Sequence, residues 1–76
     1  MKHSNKEKVA KEFGAFIREE RENCGLFQAD VAAMLGISRG YYAHIEAGDR
    51  DIGFALALDI CNALKLDIND FAKRTK

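Results

Sequence analysis

The sequence predicts an all-α fold of five helices, and three observations carry this prediction. Apolar residues recur at spacings of three and four, which is the period of a helix with one buried face. Gly25, Gly36 and Gly48 divide the chain at intervals suited to helix ends, where a left-handed residue is favoured. The chain contains no proline and shows no strand signal. A length of 76 residues fits one small domain and leaves little room for a deep catalytic cleft.

The first helix is predicted to begin near residue 5. Ser4 followed by Glu7 resembles a capping box, in which each residue satisfies a free backbone N–H at the helix start. Gly25 is expected to end the helix. One apolar stripe follows from the spacing of Val9, Phe13, Phe16 and Ile17.

Two short helices joined by a tight turn are predicted in the middle of the chain. The first runs from Gln28 to Leu35 and is closed by Gly36, which tolerates positive φ. Ser38 is a good N-cap for the second, which runs from Arg39 to about Glu46. The residues expected to face inward are Val31, Ala32, Leu35, Ile37, Tyr42 and Ile45.

Two further helices are predicted in the last third of the chain. The fourth spans roughly Phe54 to Leu64, with Asp51 or Gly53 as its N-cap. Asp67 is expected to cap a short fifth helix, and Phe71 is its core residue. The apolar face expected for the fourth helix consists of Phe54, Ala57, Leu58, Cys61 and Leu64.

Composition excludes several classes of function. The first residues are too polar for a signal peptide, and no apolar run approaches the length of a membrane span. The sequence therefore predicts a cytoplasmic protein without membrane contact. His3 and His44 are the only histidines, and no nucleophile–base pair or phosphate-binding glycine loop occurs, so no enzymatic activity is expected. Cys24 and Cys61 form no metal motif, and neither a metal nor a cofactor is predicted.

Net charge counts against strong non-specific binding of nucleic acid. The 12 lysines and arginines are balanced by 12 aspartates and glutamates, whereas phosphate neutralisation by basic residues supplies most non-specific affinity. A nucleic-acid reader with this charge is expected to bind specifically and to need two subunits.

The segment from Gln28 to Glu46 nevertheless has the pattern of a helix-turn-helix unit, which places its second helix in the major groove of DNA. Gly36 fixes the angle between the two helices, and Ile37 and Ile45 hold the second helix on the core. The face left pointing outward carries Arg39, Gly40, Tyr41, Ala43 and His44.

The segment from Phe13 to Phe71 resembles the Cro/phage-repressor-like (XRE) helix-turn-helix family. The resemblance rests on Phe13, Ile17, Arg21, Gly25-Leu26, Gln28, Ala32, Leu35-Gly36-Ile37-Ser38, Ile45-Glu46, Gly48, Ala63-Leu64, Leu66 and Phe71. It implies a five-helix, lambda-repressor-like DNA-binding domain whose motif, about residues 28–47, is formed by helices 2 and 3. The expected organisation is a helical extension at 1–12, the domain at 13–71 and a basic tail at 72–76.

The resemblance also implies roles for individual residues. Gln28 matches a glutamine that opens the first helix of the motif and touches a phosphate, and Arg39, Gly40 and His44 match positions that meet base edges. Arg21 and Glu46 match a buried ion pair that joins the first helix to the recognition helix. The full set of expected DNA-binding residues is Gln28, Ser38, Arg39, Gly40, Tyr41, Ala43, His44 and Arg50.

For some of these residues the sequence leaves alternatives open. Arg39 is expected to contact a base or a phosphate, Tyr41 packs locally or binds a phosphate, and His44 either contacts DNA or is an ordinary surface histidine. Two positions depart from the family pattern. Phe27 stands where a serine or threonine usually caps the helix, and packs instead against the first helix or a partner; Gly40 offers no side chain to a base.

The expected function is that of a sequence-specific DNA-binding transcriptional regulator, a repressor that binds a near-palindromic operator as a homodimer. Dimer contacts are expected from Leu66, Ile68 and Phe71, with a contribution from the region of Val9. The alternative is an antitoxin or another protein-interaction module on the same fold, which binds a protein such as a toxin and has weak or no DNA binding of its own.

Overall fold

The computed structural model describes residues 5–74, which form five α-helices and no strand. The helices are α1 (Lys6–Asn23), α2 (Gln28–Leu35), α3 (Arg39–Ala47), α4 (Phe54–Ala63) and α5 (Ile68–Arg74). The all-α, five-helix prediction is therefore confirmed. α1 continues across the predicted boundary between residues 12 and 13, and α5 continues into the basic segment that starts at residue 72.

The start of α1 is capped by Asn5. Its side-chain oxygen accepts hydrogen bonds from the backbone N–H groups of Glu7, at 2.9 Å, and Lys8, at 3.2 Å. Ser4, the other half of the expected capping box, lies outside the described residues. Asparagine caps a helix as well as serine does, so the helix begins close to the predicted position with a different residue as its cap.

The core draws on α1 to α4 and the residue after α4. Phe71 of α5 closes one side of it, with its ring 5.2 Å from the ring of Phe13 and 5.5 Å from that of Phe16, centroid to centroid. Tyr42 is fully buried, as its helical position predicted. The buried apolar residues are Phe13, Phe16, Ile17, Val31, Ala32, Tyr42, Ile45, Ile60, Cys61 and Leu64.

The buried face of α4 differs from the predicted one. Phe54 is 70 % exposed rather than buried, whereas Ile60, which was not predicted, is fully buried. The face that meets the core consists of Leu56, Ala57, Ile60, Cys61 and Leu64. Apolar residues lie on nearly every side of this helix, so their spacing alone could not determine which side faces the core.

Glycines allow a close crossing of α1 with the end of α3. A Cβ atom added at Gly14 would come within 2.6 Å of the carbonyl oxygen of Ile45 and closer still to that of Glu46. A Cβ added at Gly48 would lie 2.5 Å from the Cα of Lys11. The two helices therefore pack backbone against backbone, which fixes α3 on the longest helix of the domain.

Within residues 5–74, no helix combines the length and the apolar character that a membrane span requires.

Candidate nucleic-acid interface

The turn between α2 and α3 fixes the direction in which α3 projects. Gly36 has φ of +70°, its N–H bonds to the carbonyl of Ala33 at 3.2 Å, and the N–H of Ile37 bonds to that of Ala32 at 3.0 Å. This pair of bonds ends a helix in a defined geometry. Ser38 then caps α3, since its hydroxyl accepts a hydrogen bond from the N–H of Tyr41 at 3.0 Å. The side chain of Ser38 is thus used within the chain.

One face of α3 points away from the domain and carries mostly small residues. Gly40 and His44 are exposed, as predicted, and Ala43 is half-buried beside them. Ala47 belongs to the same exposed face by its spacing, although the sequence analysis did not single it out. Of these four residues only His44 carries polar side-chain atoms, so it supplies the hydrogen-bonding groups at the centre of this outward face.

A buried ion pair ties α3 to α1, as the sequence resemblance implied. The guanidinium of Arg21 donates from Nε to Oε2 of Glu46 at 2.6 Å and from its second amino group to Oε1 at 3.1 Å. Its remaining amino group donates to the carbonyl oxygen of Leu26 at 2.7 Å. The two residues are 8 % and 7 % exposed, so the pair is almost wholly shielded from water.

Gln28 extends this network to the start of α3. Its Nε2 donates to Oε1 of Glu46 at 3.0 Å, and its Oε1 accepts a hydrogen bond from Arg39 at 3.1 Å. The structure therefore brings Gln28 and Arg39 together, two residues predicted to bind DNA. Arg39 is exposed but tethered, which places its guanidinium beside the outward face of α3.

The ion pair between Arg21 and Glu46 also shifts the pKa values of both residues. Burial acts to raise the pKa of Glu46, but hydrogen bonds from Arg21 and Gln28 outweigh it, so the pKa of Glu46 is lowered. The hydrogen bond to Glu46 raises the pKa of Arg21. Burial raises the pKa of Tyr42, whose side chain interacts with the same carboxylate. Glu46 consequently remains an anion inside the fold at neutral pH.

His44 is hydrogen-bonded to Asp49, the second residue after the end of α3. The distance between Nδ1 of His44 and Oδ2 of Asp49 is 2.8 Å, and both side chains are 52 % exposed. Asp49 was not among the predicted site residues. Only its position directly after Gly48 could have suggested it, because a residue there lies close to the last turn of the helix.

Tyr41 and Arg50 lie on one flank of α3. The guanidinium of Arg50 sits 5.9 Å from the ring centroid of Tyr41, within the range of a cation–π contact. Tyr41 is half-buried and packs in part against the core, in agreement with the local-packing alternative. Arg50 is exposed and carries the positive charge on this flank.

The start of α2 is capped in an unexpected way. Phe27 is 77 % exposed, so it does not pack against the first helix, and its packing against a partner stays a prediction. The carboxylate of Asp30 accepts a hydrogen bond from the backbone N–H of Phe27 at 2.7 Å, which is one half of a capping box. The side chain of Phe27 supplies no acceptor for the other half. An exposed negative charge therefore lies at the start of α2, where the helix dipole favours it.

An apolar groove lies between α1, α4 and α5, away from the buried ion pair of Arg21 and Glu46. Its volume is about 320 Å³, and Lys6 and Asp51 form an ion pair at 3.9 Å among its lining residues. The apolar lining includes Val9, Phe13, Phe54, Ile68 and Phe71. Ile68 and Phe71, two of the predicted dimer contacts, thus border the groove, whereas Leu66 packs partly against the core and does not line it. The sequence analysis did not identify Phe54 as a surface residue, because its helical spacing predicted that it faces the core.

Among residues 5–74 no group of three or more histidine, cysteine, aspartate or glutamate side chains is placed to hold a metal ion. Cys24 is exposed and Cys61 is buried, and both are free thiols.

Comparison with known proteins identifies similar chains. The sequence model of a helix-turn-helix family matches residues 17–71. No curated protein sequence matches the chain. The clp gene regulator ClgR from Corynebacterium glutamicum has a solved structure that is 25 % identical, with a TM-score of 0.80, over 84 % of this chain and 83 % of that one. The restriction-modification controller protein C.AhdI from Aeromonas hydrophila is 28 % identical, with a TM-score of 0.76, over 84 % of this chain and 96 % of that one.

Proposed function

This chain belongs to the helix-turn-helix family of DNA-binding transcriptional regulators, and we propose that it represses transcription by binding a near-palindromic operator as a homodimer. The observation that carries the proposal is the outward face of α3, which is exposed, mostly small and held rigidly by the core. The major groove is about 12 Å wide and admits one α-helix. Gly40, Ala43 and Ala47 allow the backbone of α3 to come close to the base edges.

Arg39 and His44 are the proposed readers of base edges. An arginine in the first turn of a recognition helix can donate two hydrogen bonds to O6 and N7 of guanine. The bond from Arg39 to Gln28 limits the conformations of this long side chain before DNA binds, so less entropy is lost on binding. Gln28 and Arg50 are the proposed phosphate contacts on either side, and Ser38, Gly40, Tyr41 and Ala43 complete the contact surface.

Two copies of the chain are needed for useful affinity in this proposal. The balance of 12 basic and 12 acidic residues supplies little general attraction to phosphates, and one helix reads only about four or five base pairs. A symmetric dimer with its recognition helices about 34 Å apart reads two half-sites one helical turn apart. Where such an operator overlaps a promoter, its occupation excludes the transcription machinery from the same DNA, which is the proposed means of repression.

The apolar groove between α1, α4 and α5 is the proposed dimer surface. Phe54, which is 70 % exposed, and the half-buried Ile68 give it apolar area that a second copy would cover. Phe71 borders this surface, whereas Leu66 packs partly against the core and does not line it. The rim carries Lys6 and Asp51, opposite charges that two copies related by a twofold axis could exchange.

In vitro selection of bound duplexes, followed by salt titration on the selected sequence, tests the function. We expect a near-palindromic site and an affinity that falls steeply with salt. Arg39→Ala is expected to lose the preference at one base of each half-site, at a cost of about 1–3 kcal/mol, with the fold intact. Lys8→Ala, which removes an exposed charge from the start of α1, is the matched control and should keep every preference.

The outcomes of this experiment separate the alternatives. An equal loss on all sequences would make Arg39 a phosphate contact rather than a base contact. A folded protein that binds no duplex at low salt would overturn the proposal and favour the protein-interaction module, with a toxin-like protein as its partner.

Gly40 offers a second, independent measurement. A Cβ added at Gly40 would meet nothing within 4 Å, so no packing within the chain requires glycine there. We expect Gly40→Ala to raise the free energy of unfolding by up to about 1 kcal/mol, since alanine is the better helix former, and to weaken operator binding. Urea unfolding and a binding isotherm on the same protein measure both effects. Unchanged or tighter binding would show that α3 does not approach DNA closely at this position.

Substitutions of two exposed phenylalanines test the proposed dimer surface. Phe54→Ser is expected to shift the protein from dimer to monomer in sedimentation equilibrium and to weaken operator binding. Phe27→Ala is the control, because Phe27 is 77 % exposed but lies at the start of α2, away from the groove. Serine is avoided at this position because it would add a cap to α2. A dimer that survives Phe54→Ser and also Ile68→Ser would place the interface elsewhere.

A further inference from the structure

Asp49 is built into a fixed position relative to His44. Gly48 ends α3 with φ of +78°, and the backbone N–H of Asp49 bonds to the carbonyl oxygen of His44 at 3.1 Å. This type of helix end brings the side chains of His44 and Asp49 together. At this position in other helices the contact is commonly apolar. Here the contact is polar, between Nδ1 of His44 and Oδ2 of Asp49 at 2.8 Å. Gly48 in turn lies against the backbone of Lys11, so the turn is anchored on α1.

A carboxylate beside one ring nitrogen decides what the other can do. A carboxylate only accepts hydrogen bonds, so Nδ1 must carry the proton that it donates to Asp49. In the neutral ring, Nε2 then holds a lone pair and acts as an acceptor. His44 is the one polar side chain among the four residues of the outward face, so the state of Nε2 determines which base edge this part of α3 can recognise.

We propose that Asp49 is a specificity-determining positioning residue, which holds the proton on Nδ1 of His44 and so presents Nε2 as an acceptor to an exocyclic amino group of DNA. Such groups in the major groove are N6 of adenine and N4 of cytosine. The inference rests on the proposed function, because it assumes that α3 enters the major groove. Asp49 itself contacts no base; its charge would be repelled by phosphates, and it acts through the ring of His44.

The first test measures the histidine ring in the free protein. Nitrogen NMR at about pH 8, where a free imidazole is neutral, distinguishes a protonated Nδ1 from a protonated Nε2. His3→Gln removes the other histidine of the sequence, so the ring signals belong to His44 alone. We expect the Nδ1–H form in this protein and a mixture of both forms when Asp49→Ala is added. A ring that is already a mixture with Asp49 present would overturn the inference without any DNA.

The second test compares two substitutions that remove the same charge. Asp49→Ala removes the acceptor, whereas Asp49→Asn keeps a side-chain oxygen that accepts from Nδ1. In selection from random duplexes, the base position that loses its preference in His44→Ala is taken as the position read by His44. We expect a preference of about fivefold or more at that base pair, a loss of the preference in Asp49→Ala, and its retention in Asp49→Asn.

A third arm asks whether Asp49 acts through His44. With His44→Ala already present, Asp49→Ala and Asp49→Asn should select the same sequences. Equal effects of the two Asp49 substitutions with His44 present would overturn the inference while leaving an operator-binding protein. Selection of no sequence at all by the unmodified protein would instead overturn the proposed function, and this inference with it.

Discussion

Glu46→Ala is expected to lower the free energy of unfolding by about 3–5 kcal/mol, because it leaves the guanidinium of Arg21 buried without its partner. Arg21 is 8 % exposed and donates two of its hydrogen bonds to Glu46, so water cannot replace the lost acceptor. A domain of this length has a total stability of roughly 4–11 kcal/mol. The variant is therefore expected to unfold at a clearly lower urea concentration, followed by circular dichroism, and to be partly unfolded without urea if the total lies near the lower end of this range.

The matched control removes a carboxylate from an exposed ion pair. Glu22 bonds to Arg18 at 3.5 Å, and the two side chains are 56 % and 65 % exposed. Glu22→Ala should change stability by at most about 0.5 kcal/mol, as for other exposed pairs of this spacing. If Glu46→Ala were as mild as Glu22→Ala, the buried pair would not be holding α1 and α3 together.

Acid should reduce the contribution of Glu46 in a defined direction. The pKa of Glu46 is lowered in the folded state, so the unfolded chain takes up the proton first as pH falls. The stability that ionised Glu46 provides is thus fully present above the ordinary glutamate pKa of about 4.3 and is lost as pH falls through the lower folded value. The difference between the unmodified protein and Glu46→Gln should therefore shrink below about pH 4. A difference that stays constant or grows on acidification would contradict this.

If the chain binds DNA as proposed, Glu46 variants are expected to lose binding for a structural reason. Glu46 accepts from Gln28, and Gln28 accepts from Arg39, so removal of the carboxylate releases both residues at the edge of the outward face. Binding assays on Glu46 variants consequently report the fold as well as the interface. Arg39→Ala, which leaves the ion pair intact, is the cleaner measure of base recognition.

The sequence predicted what depends on local rules. Helix ends at Gly25, Gly36 and Gly48 follow from the left-handed backbone at these positions, with φ of +72°, +70° and +78°. The Arg21–Glu46 pair was predicted by resemblance, since residues 25 positions apart in sequence carry no local signal of contact. The burial of Tyr42 followed from its helical spacing alone.

The sequence failed where the outcome depends on how helices pack. The face of α4 was misassigned because Phe54 and Ile60 are both apolar, and the packing of α4 against its neighbours, α2 above all, decides between them. The caps from Asn5 and Asp30 and the contact of His44 with Asp49 involve residue types that are common on any polar surface. Their partners become evident only when the backbone geometry at the helix ends is known.

Gly14 was also passed over, although it is expected to tolerate substitution least. Gly14→Ala should destabilise the domain by about 2–3 kcal/mol, even though alanine favours a helix by about 1 kcal/mol over glycine. The reason is that the added Cβ would meet backbone carbonyl oxygens of α3, with that of Ile45 at 2.6 Å, and backbone atoms cannot rotate away as a side chain can. α1 and α3 would have to separate, and the bonds between Arg21 and Glu46 would lengthen.

The matched comparison is Gly40→Ala, the same substitution in another helix with open space around it. The two variants should move in opposite directions in thermal unfolding, Gly14→Ala to a lower midpoint and Gly40→Ala to a higher one. Their effects on DNA separate as well: stabilising conditions should restore operator binding to Gly14→Ala, whose interface residues are intact, but not to Gly40→Ala. A stabilised Gly14→Ala protein would mean that α1 and α3 do not pack backbone against backbone, and the rigid projection of α3 would then need another cause.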